Sequence, residues 1–125
     1  MTDNIIYKEE SYLIIGKCFE VHRKLGCGFL EAIYKDALQY EFYTAGIEFK
    51  REREYKIFYK DQLLAHSYFA DFVVMDKIIL EVKAVSALAD QHIAQTLNYL
   101  AASGNKLGIL VNFGETSLRY KRLLL

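Results

Sequence analysis

The sequence lacks the features that mark secreted, membrane-spanning and DNA-coating proteins. Its two cysteines, Cys18 and Cys27, do not form a CxxC motif, which predicts thiols in a reducing cytoplasm rather than a disulfide framework or a metal site. No stretch approaches the ~18 apolar residues of a membrane helix, and the start does not resemble a signal peptide. The 16 basic and 16 acidic residues cancel, which argues against a protein that coats nucleic acid regardless of sequence. We therefore expect a soluble, cytoplasmic protein without a membrane partner.

The chain does contain enough apolar material for a folded core. Of its 125 residues, 53% are hydrophobic and 14% aromatic, although proline and tryptophan are absent. This composition excludes a disordered chain. The length predicts one domain, residues 1–125.

The hydrophobic periodicity predicts three helices and five strands. Helices are expected over 8–25, ended by Gly26, from about Leu30 to Ala45, and from Ser86 or Ala87 to Ser103. Strands are expected over 48–59, Leu63–Met75, Ile78–Val85, Leu107–Phe113 and Leu118–Leu125. The order α-α-β-β-β-α-β-β predicts an α/β fold with a single mixed β-sheet flanked by helices.

Three charges interrupt the apolar hairpin that spans residues 71–83, namely Asp71, Glu81 and Lys83. Side chains alternate along a strand, so Glu81 and Lys83 face the same way. If Val74 pairs with Ile78 across a three-residue loop, Asp71 lies opposite Glu81 with Cβ atoms roughly 5 Å apart. A two-residue loop would turn the two acids to opposite faces. A shared acidic site therefore requires an odd-numbered loop.

Two carboxylates at this spacing repel each other unless a cation lies between them. Carboxylate oxygens suit Mg²⁺ or Mn²⁺, and a neighbouring lysine can orient a water molecule. These groups fit metal-assisted hydrolysis of a phosphodiester. The alternative is a cross-strand ion pair between Lys83 and one of the acids, and Asp71, Glu81 and Lys83 alone leave both interpretations open.

Two helices carry further candidate residues. Glu31, Tyr34 and Leu38 lie on one stripe of the second helix, so the Glu31 carboxylate points towards the core. The alternative is that Glu31 only complements the helix dipole. In the third helix, Gln95 and Tyr99 share a stripe whose polar members could reach a site beside Lys83. We expect His22, on the apolar face of the first helix, to be a packed core residue.

These patterns resemble a known nuclease family. Residues 28–38, Gly-Phe-Leu-Glu-Ala-Ile-Tyr-Lys-Asp-Ala-Leu, match the GxxExxYxxAL signature of the bacterial GxxExxY family. Asp71 followed by Glu81-Val82-Lys83 resembles the D…ExK core of the PD-(D/E)xK nuclease superfamily, to which that family is assigned. Residues 95–99 resemble the QxxxY helix of its RecB-like members. One departure is Cys27, which stands where the family usually has a proline.

The resemblance implies a restriction-endonuclease-like core and a role for each matching residue. Asp71 and Glu81 would bind Mg²⁺ or Mn²⁺, with the backbone carbonyl of Val82 as a possible further ligand. Lys83 would position or activate the attacking water. Support would come from three further side chains: Glu31 beside the ion or its water, and Gln95 and Tyr99 on the nucleic-acid backbone or bracing the site.

Two functions are consistent with this resemblance. The first is a metal-dependent nuclease that hydrolyses phosphodiester bonds of DNA or RNA. The second is a non-catalytic nucleic-acid-binding or protein-interaction domain that keeps the fold. The oligomeric state stays open, a homodimer being one way for so small a domain to grip a duplex.

Overall fold

The computed structural model describes residues 5–125, which form three helices and five strands in the predicted order. The elements are α1 (Lys8–Leu25), α2 (Glu31–Thr44), β1 (Phe49–Tyr59), β2 (Gln62–Val74), β3 (Ile78–Lys83), α3 (Asp90–Ser103), β4 (Leu107–Asn112) and β5 (Arg119–Leu124). The five strands form one sheet in the order β1-β2-β3-β4-β5. Strands β3 and β4 are parallel and joined through α3, and all other neighbours are antiparallel. The predicted α/β fold with a mixed sheet is therefore confirmed.

The bounds of α1 agree with the periodicity because Gly26 ends the helix. Its φ of 68° is a left-handed value that glycine adopts without steric cost, and its N–H donates to the His22 carbonyl at 2.7 Å. His22 is a packed residue, as expected: its ring nitrogen Nε2 lies 2.8 Å from the Glu115 carbonyl. Within residues 5–125, no helix is long and apolar enough to cross a membrane.

The predicted start of α3 was wrong, and β3 ends earlier than predicted. The helix begins at Asp90 rather than at Ser86 or Ala87. The buried Asn112 side chain accepts the Val85 N–H and donates to the Val85 carbonyl, both at 2.9 Å. This pair of bonds satisfies the backbone polar groups of Val85 outside any sheet or helix. The chain therefore crosses residues 84–89 without regular structure.

Each face of the sheet buries its own apolar cluster. The cluster under α1 and α2 includes Ile14, Leu38, Phe72, Val74 and Leu80, whereas the smaller cluster on the α3 face includes Tyr68, Ala70, Val73, Ile79 and Leu100. The alternation of Val73 and Val74 between the two clusters shows that they lie on opposite faces.

Strand β2 changes its buried face at Asp71. Tyr68 and Ala70 belong to the α3-side cluster, but Phe72 and Val74 belong to the α1/α2-side cluster. A regular strand would keep these even-numbered residues on one face. On β1, Glu52 has a φ of 56°. Arg51 pairs with Phe72 and Arg53 pairs with Ala70, but Glu52 and Asp71, which lie between them, do not form a regular pair. This irregularity places Asp71 where side chains from both faces can meet.

Candidate active site

The hairpin between β2 and β3 has the register that brings Asp71 opposite Glu81. Val74 pairs with Ile78 across the three-residue loop 75–77, and the regular pairing ends at Phe72 with Leu80. Two loop residues, Met75 and Asp76, have φ values of 55° and 56° and so make the tight reversal. The predicted odd-numbered loop is confirmed.

Beyond Phe72 and Leu80, the two carboxylates take over hydrogen bonds from the β-ladder. The Asp71 N–H donates to Glu81 Oε2 at 3.1 Å, and the Val82 N–H donates to Asp71 Oδ2 at 2.8 Å. Each acid therefore accepts a hydrogen bond from the backbone of the strand opposite. This reciprocal arrangement holds the two carboxylates beside each other.

Glu81 is the buried member of the pair, with 4% of its surface exposed. The Tyr68 hydroxyl donates to its Oε2 at 2.8 Å. Burial, reinforced by the negative charge of Asp71, raises the pKa of the Glu81 carboxyl to about 8, although the hydrogen bonds and Lys83 oppose the rise. Near neutral pH, the protonated form of the Glu81 carboxyl is therefore favoured over the ionised form.

The cation that pairs with Asp71 is Lys35 of α2, which the sequence reasoning missed. Its Nζ lies 3.0 Å from Asp71 Oδ1 and also contacts Glu52 Oε1. Burial alone would lower the pKa of Lys35, but the hydrogen bonds to Glu52 and Asp71 prevail and raise it. Within the described part of the chain, Lys83 forms no ion pair. The alternative in which Lys83 is the ion-pair partner is therefore wrong.

Glu31 lies at the first residue of α2, directed towards this cluster. Burial first and then the charge of Asp71 raise the pKa of its carboxyl, whereas Lys83 and Lys35 act to lower it. The Lys83 charge acts on Glu81 in the same direction. Glu31 and Lys83 therefore belong to the same electrostatic cluster as the two hairpin acids.

Tyr99 contacts the site through its stacking on Tyr68, and Gln95 interacts with Tyr99 in turn. The Tyr99 ring stacks on Tyr68 with centroids 3.6 Å apart, and Tyr55 stacks on Tyr68 at 5.7 Å. Burial raises the pKa of Tyr99, and a hydrogen bond from Gln95 opposes this rise. Gln95 is itself exposed. The helix α3 thus braces the tyrosine that holds Glu81.

The sequence reasoning missed three residues of this cluster, for different reasons. Lys35 lies four positions after Glu31, on the same helical stripe, and that spacing was a usable signal. The hydroxyl of Tyr68, three residues before Asp71, gave no sign that it would cross to β3. Glu52 lies in a strand of alternating charges, and nothing in that pattern distinguishes it from its neighbours.

The cluster carries more negative than positive charge. Four carboxylates act on one another and on only two ammonium groups: Glu31, Glu52, Asp71 and Glu81 against Lys35 and Lys83. Fully ionised, these groups sum to a charge of −2, the complement of a divalent cation.

The donor set fits an ion that keeps much of its water. No group of three His, Cys, Asp or Glu side chains within residues 5–125 could hold a metal. An ion here would rest on Asp71, Glu81 and the Val82 carbonyl, with water completing its coordination. Mg²⁺ is commonly bound in proteins through one or two carboxylates while retaining several waters. The residues present therefore fit such an ion.

Comparison with known protein families matches residues 8–123 to the PD-(D/E)XK nuclease superfamily. The match starts at the first residue of α1 and includes every side chain of the acidic cluster. Comparisons with curated proteins and with solved structures gave no match. The family match covers nearly the whole chain, and on that basis the chain belongs to the PD-(D/E)XK nuclease superfamily.

Proposed function

We propose that this protein is a divalent-metal-dependent nuclease that hydrolyses phosphodiester bonds of DNA or RNA. Within the superfamily, the resemblance of residues 28–38 to the GxxExxYxxAL signature supports a place in the GxxExxY group. One observation carries the proposal: the cluster around the Asp71–Glu81 pair brings four carboxyl groups together with only two ammonium groups, and the buried Glu81 takes up a proton near neutral pH. A fold without a cation to bind has no physical need to keep such a surplus of carboxyl groups partly buried.

Asp71, Glu81 and the Val82 carbonyl are the proposed ligands of Mg²⁺ or Mn²⁺. A bound ion would supply Lewis-acid stabilisation of the charge that develops on the phosphate and would favour ionisation of a water molecule. The reciprocal hydrogen bonds between the two strands hold both carboxylates in place before any ion arrives. Catalysis by positioning depends on this kind of preorganisation.

Lys83 is the proposed positioning group for the attacking water. Because Lys35 pairs with Asp71, the Lys83 ammonium is available to orient a water or to stabilise negative charge on the phosphate. Glu31 supports this water from the start of α2. Gln95 and Tyr99 brace Glu81 through Tyr68 and offer polar groups to the nucleic-acid backbone.

Isothermal titration of Mg²⁺ and Mn²⁺ into wild type and Asp71→Asn tests the metal site. Both proteins are then incubated with mixed DNA and RNA substrates. The proposal expects metal binding and cleavage by wild type only. The matched control is Asp61→Asn, an exposed acid in the β1–β2 turn, which should behave as wild type.

Two further variants separate the proposed roles. Lys83→Ala should keep metal binding and lose cleavage, and retained cleavage would exclude Lys83 from the chemistry. Glu31→Gln should weaken metal binding or cleavage if Glu31 belongs to the site. Unchanged values would leave it a helix-capping residue. Metal binding by wild type without cleavage of any substrate would favour the alternative, a non-catalytic nucleic-acid-binding or protein-interaction domain.

A further inference from the structure

The outer face of α1 carries an exposed stripe that the acidic site does not use. Seven residues at helical spacing form this α1 stripe: Glu9, Tyr12, Leu13, Gly16, Phe19, Glu20 and Arg23. Its apolar members are substantially exposed, Tyr12 at 81% and both Leu13 and Phe19 at 42%. The core-facing residues of the same helix, such as Ile14 and Cys18, are fully buried. Helix α1 is therefore apolar on two sides. One side packs in the core, and the other stays largely exposed, although its Phe19 ring meets the Tyr120 ring edge-on with centroids 6.1 Å apart.

Gly16 forms a notch at the centre of the α1 stripe. A Cβ atom added there would have no atom within 4 Å, so the fold itself does not require glycine. Two shallow cavities of about 210 and 220 Å³ flank the notch, one bounded by Phe19 and Tyr120 and the other by Leu13. A glycine in a helix interior is unfavourable, but it allows another helix to approach closely.

The α1 stripe is self-complementary about Gly16. Leu13 and Phe19 lie three residues to either side of the glycine, and Glu9 and Arg23 lie seven residues to either side. If a second copy of α1 packs antiparallel and the two helices cross at Gly16, apolar side chains lie against apolar side chains and acidic side chains lie against basic ones. Neither Glu9 nor Arg23 forms an ion pair with another side chain in the part of the chain that the structure describes.

We propose that the α1 stripe is the interface of a two-fold symmetric homodimer in which two α1 helices pack antiparallel at Gly16. Leu13 packs against the partner's Phe19, and Glu9 pairs with the partner's Arg23, each contact occurring twice. The Tyr12 hydroxyl lies beside the partner's Glu20. The proposal does not depend on nuclease activity.

The charge pattern favours a second copy over an unrelated partner. In the two-fold dimer, Glu9 lies opposite the partner's Arg23, and Arg23 lies opposite the partner's Glu9. The contact is small compared with the ~800 Å² per partner of a standard stable interface. We therefore expect a dissociation constant in the micromolar range, on the order of 10–100 µM.

Sedimentation equilibrium of the full chain, from about 1 to about 500 µM, tests the proposal. Wild type should shift from the 14.5 kDa monomer towards twice that mass. Arg23→Glu should weaken the dimer at least about tenfold, because it places two acids opposite each other at both ends. Adding Glu9→Arg to this variant should restore dimerisation to within about threefold of wild type.

Two control variants keep the test independent of folding. Lys24→Glu makes the same charge change in the same turn of α1, but off the α1 stripe, and should leave the dimer unchanged. Gly16→Gln fills the notch while improving helix propensity, so it should raise the monomer melting temperature and abolish the dimer. The proposal is overturned if wild type stays at 14.5 kDa throughout, if Lys24→Glu weakens the dimer as much as Arg23→Glu, or if the double charge reversal does not restore it. A monomeric wild type would leave the stripe to a different partner.

Discussion

Replacing Glu81 by glutamine should stabilise the protein increasingly as the pH rises from 5 to 8. The amide keeps an oxygen that can accept from the Tyr68 hydroxyl and from the Asp71 N–H. It removes the ionisable group whose charge is disfavoured by burial and by Asp71. Glutamine is therefore close in shape and charge to the protonated acid that the folded protein prefers.

The magnitude follows from the difference in proton affinity between the folded and unfolded chains. The pKa of Glu81 is about 8 when folded, against an ordinary value of 4.5. Between these values the folded chain holds a proton that the unfolded chain has lost, so the free energy of unfolding falls as pH rises, by about 1.4 kcal/mol per pH unit. From pH 5 to pH 7, wild type should lose roughly 3 kcal/mol through this group, a loss that Glu81→Gln avoids.

Urea unfolding at several pH values, in the presence of EDTA, measures this difference. The free energy of unfolding of Glu81→Gln minus that of wild type should increase from pH 5 to pH 8. Taking this difference removes the effect of groups that titrate in both proteins, including Glu31. The exposed Asp61→Asn variant should show no such increase. A difference independent of pH, or a glutamine variant less stable than wild type at pH 8, would show that Glu81 is ionised and paired in the fold.

Three further predictions concern the groups around Asp71 and Glu81. Lys35→Met leaves the Asp71 charge without its cation and should cost on the order of 3 kcal/mol in EDTA and less in Mg²⁺, measured by urea unfolding in both. An equal loss in both conditions would place the ion elsewhere. Tyr68→Phe removes a hydrogen bond that lowers the pKa of Glu81, so the pH-dependent loss of stability should extend to higher pH. An unchanged pH profile would show that the bond to Tyr68 is not formed in solution. Binding of Mg²⁺ at pH 7 should release close to one proton, measured by titration in buffers of different ionisation enthalpy, because the ion replaces the proton on Glu81. Binding without proton release would contradict the raised pKa.

The helices and the strands could be predicted because each depends on local sequence, and the hairpin register was predicted as the one that a site shared by Asp71 and Glu81 requires. Continuous apolar runs predict that β2 and β3 are buried strands, and the loop length then fixes whether Asp71 meets Glu81. The start of α3 could not be predicted in the same way. It depends on Asn112, which is 27 residues beyond Val85 in the chain and holds it by two side-chain hydrogen bonds.

The ion pairs around Asp71 could not be predicted either, because they also depend on contacts between residues that are distant in the chain. Lys35, Glu52 and Asp71 come from three different elements, separated by 17 and 36 residues from the lysine. Their meeting depends on the backbone irregularity at Glu52 and on the face change of β2, and neither is encoded in a residue pattern. Residues other than glycine rarely have a positive φ, so the sequence gives no reason to expect one at Glu52.

The identity of the lysine that pairs with Asp71 removes the cross-strand ion pair of Lys83 from the two interpretations of the D…ExK pattern and so supports the proposed metal site. If Lys83 had been the partner, ion pairing within the sheet would account for all three charges, and nothing would require a cation. Instead Lys35 pairs with Asp71 from α2, and the buried Glu81 carboxyl favours a proton at neutral pH despite its hydrogen bonds and the charge of Lys83. Lys83 forms no ion pair within the described chain, although its charge acts to lower the pKa values of Glu81 and Glu31. A buried acid that resists ionisation, beside an ammonium group without an ion-pair partner, is unfavourable for stability alone. Under the proposed function, a divalent cation and a phosphate at the same place would make this arrangement favourable.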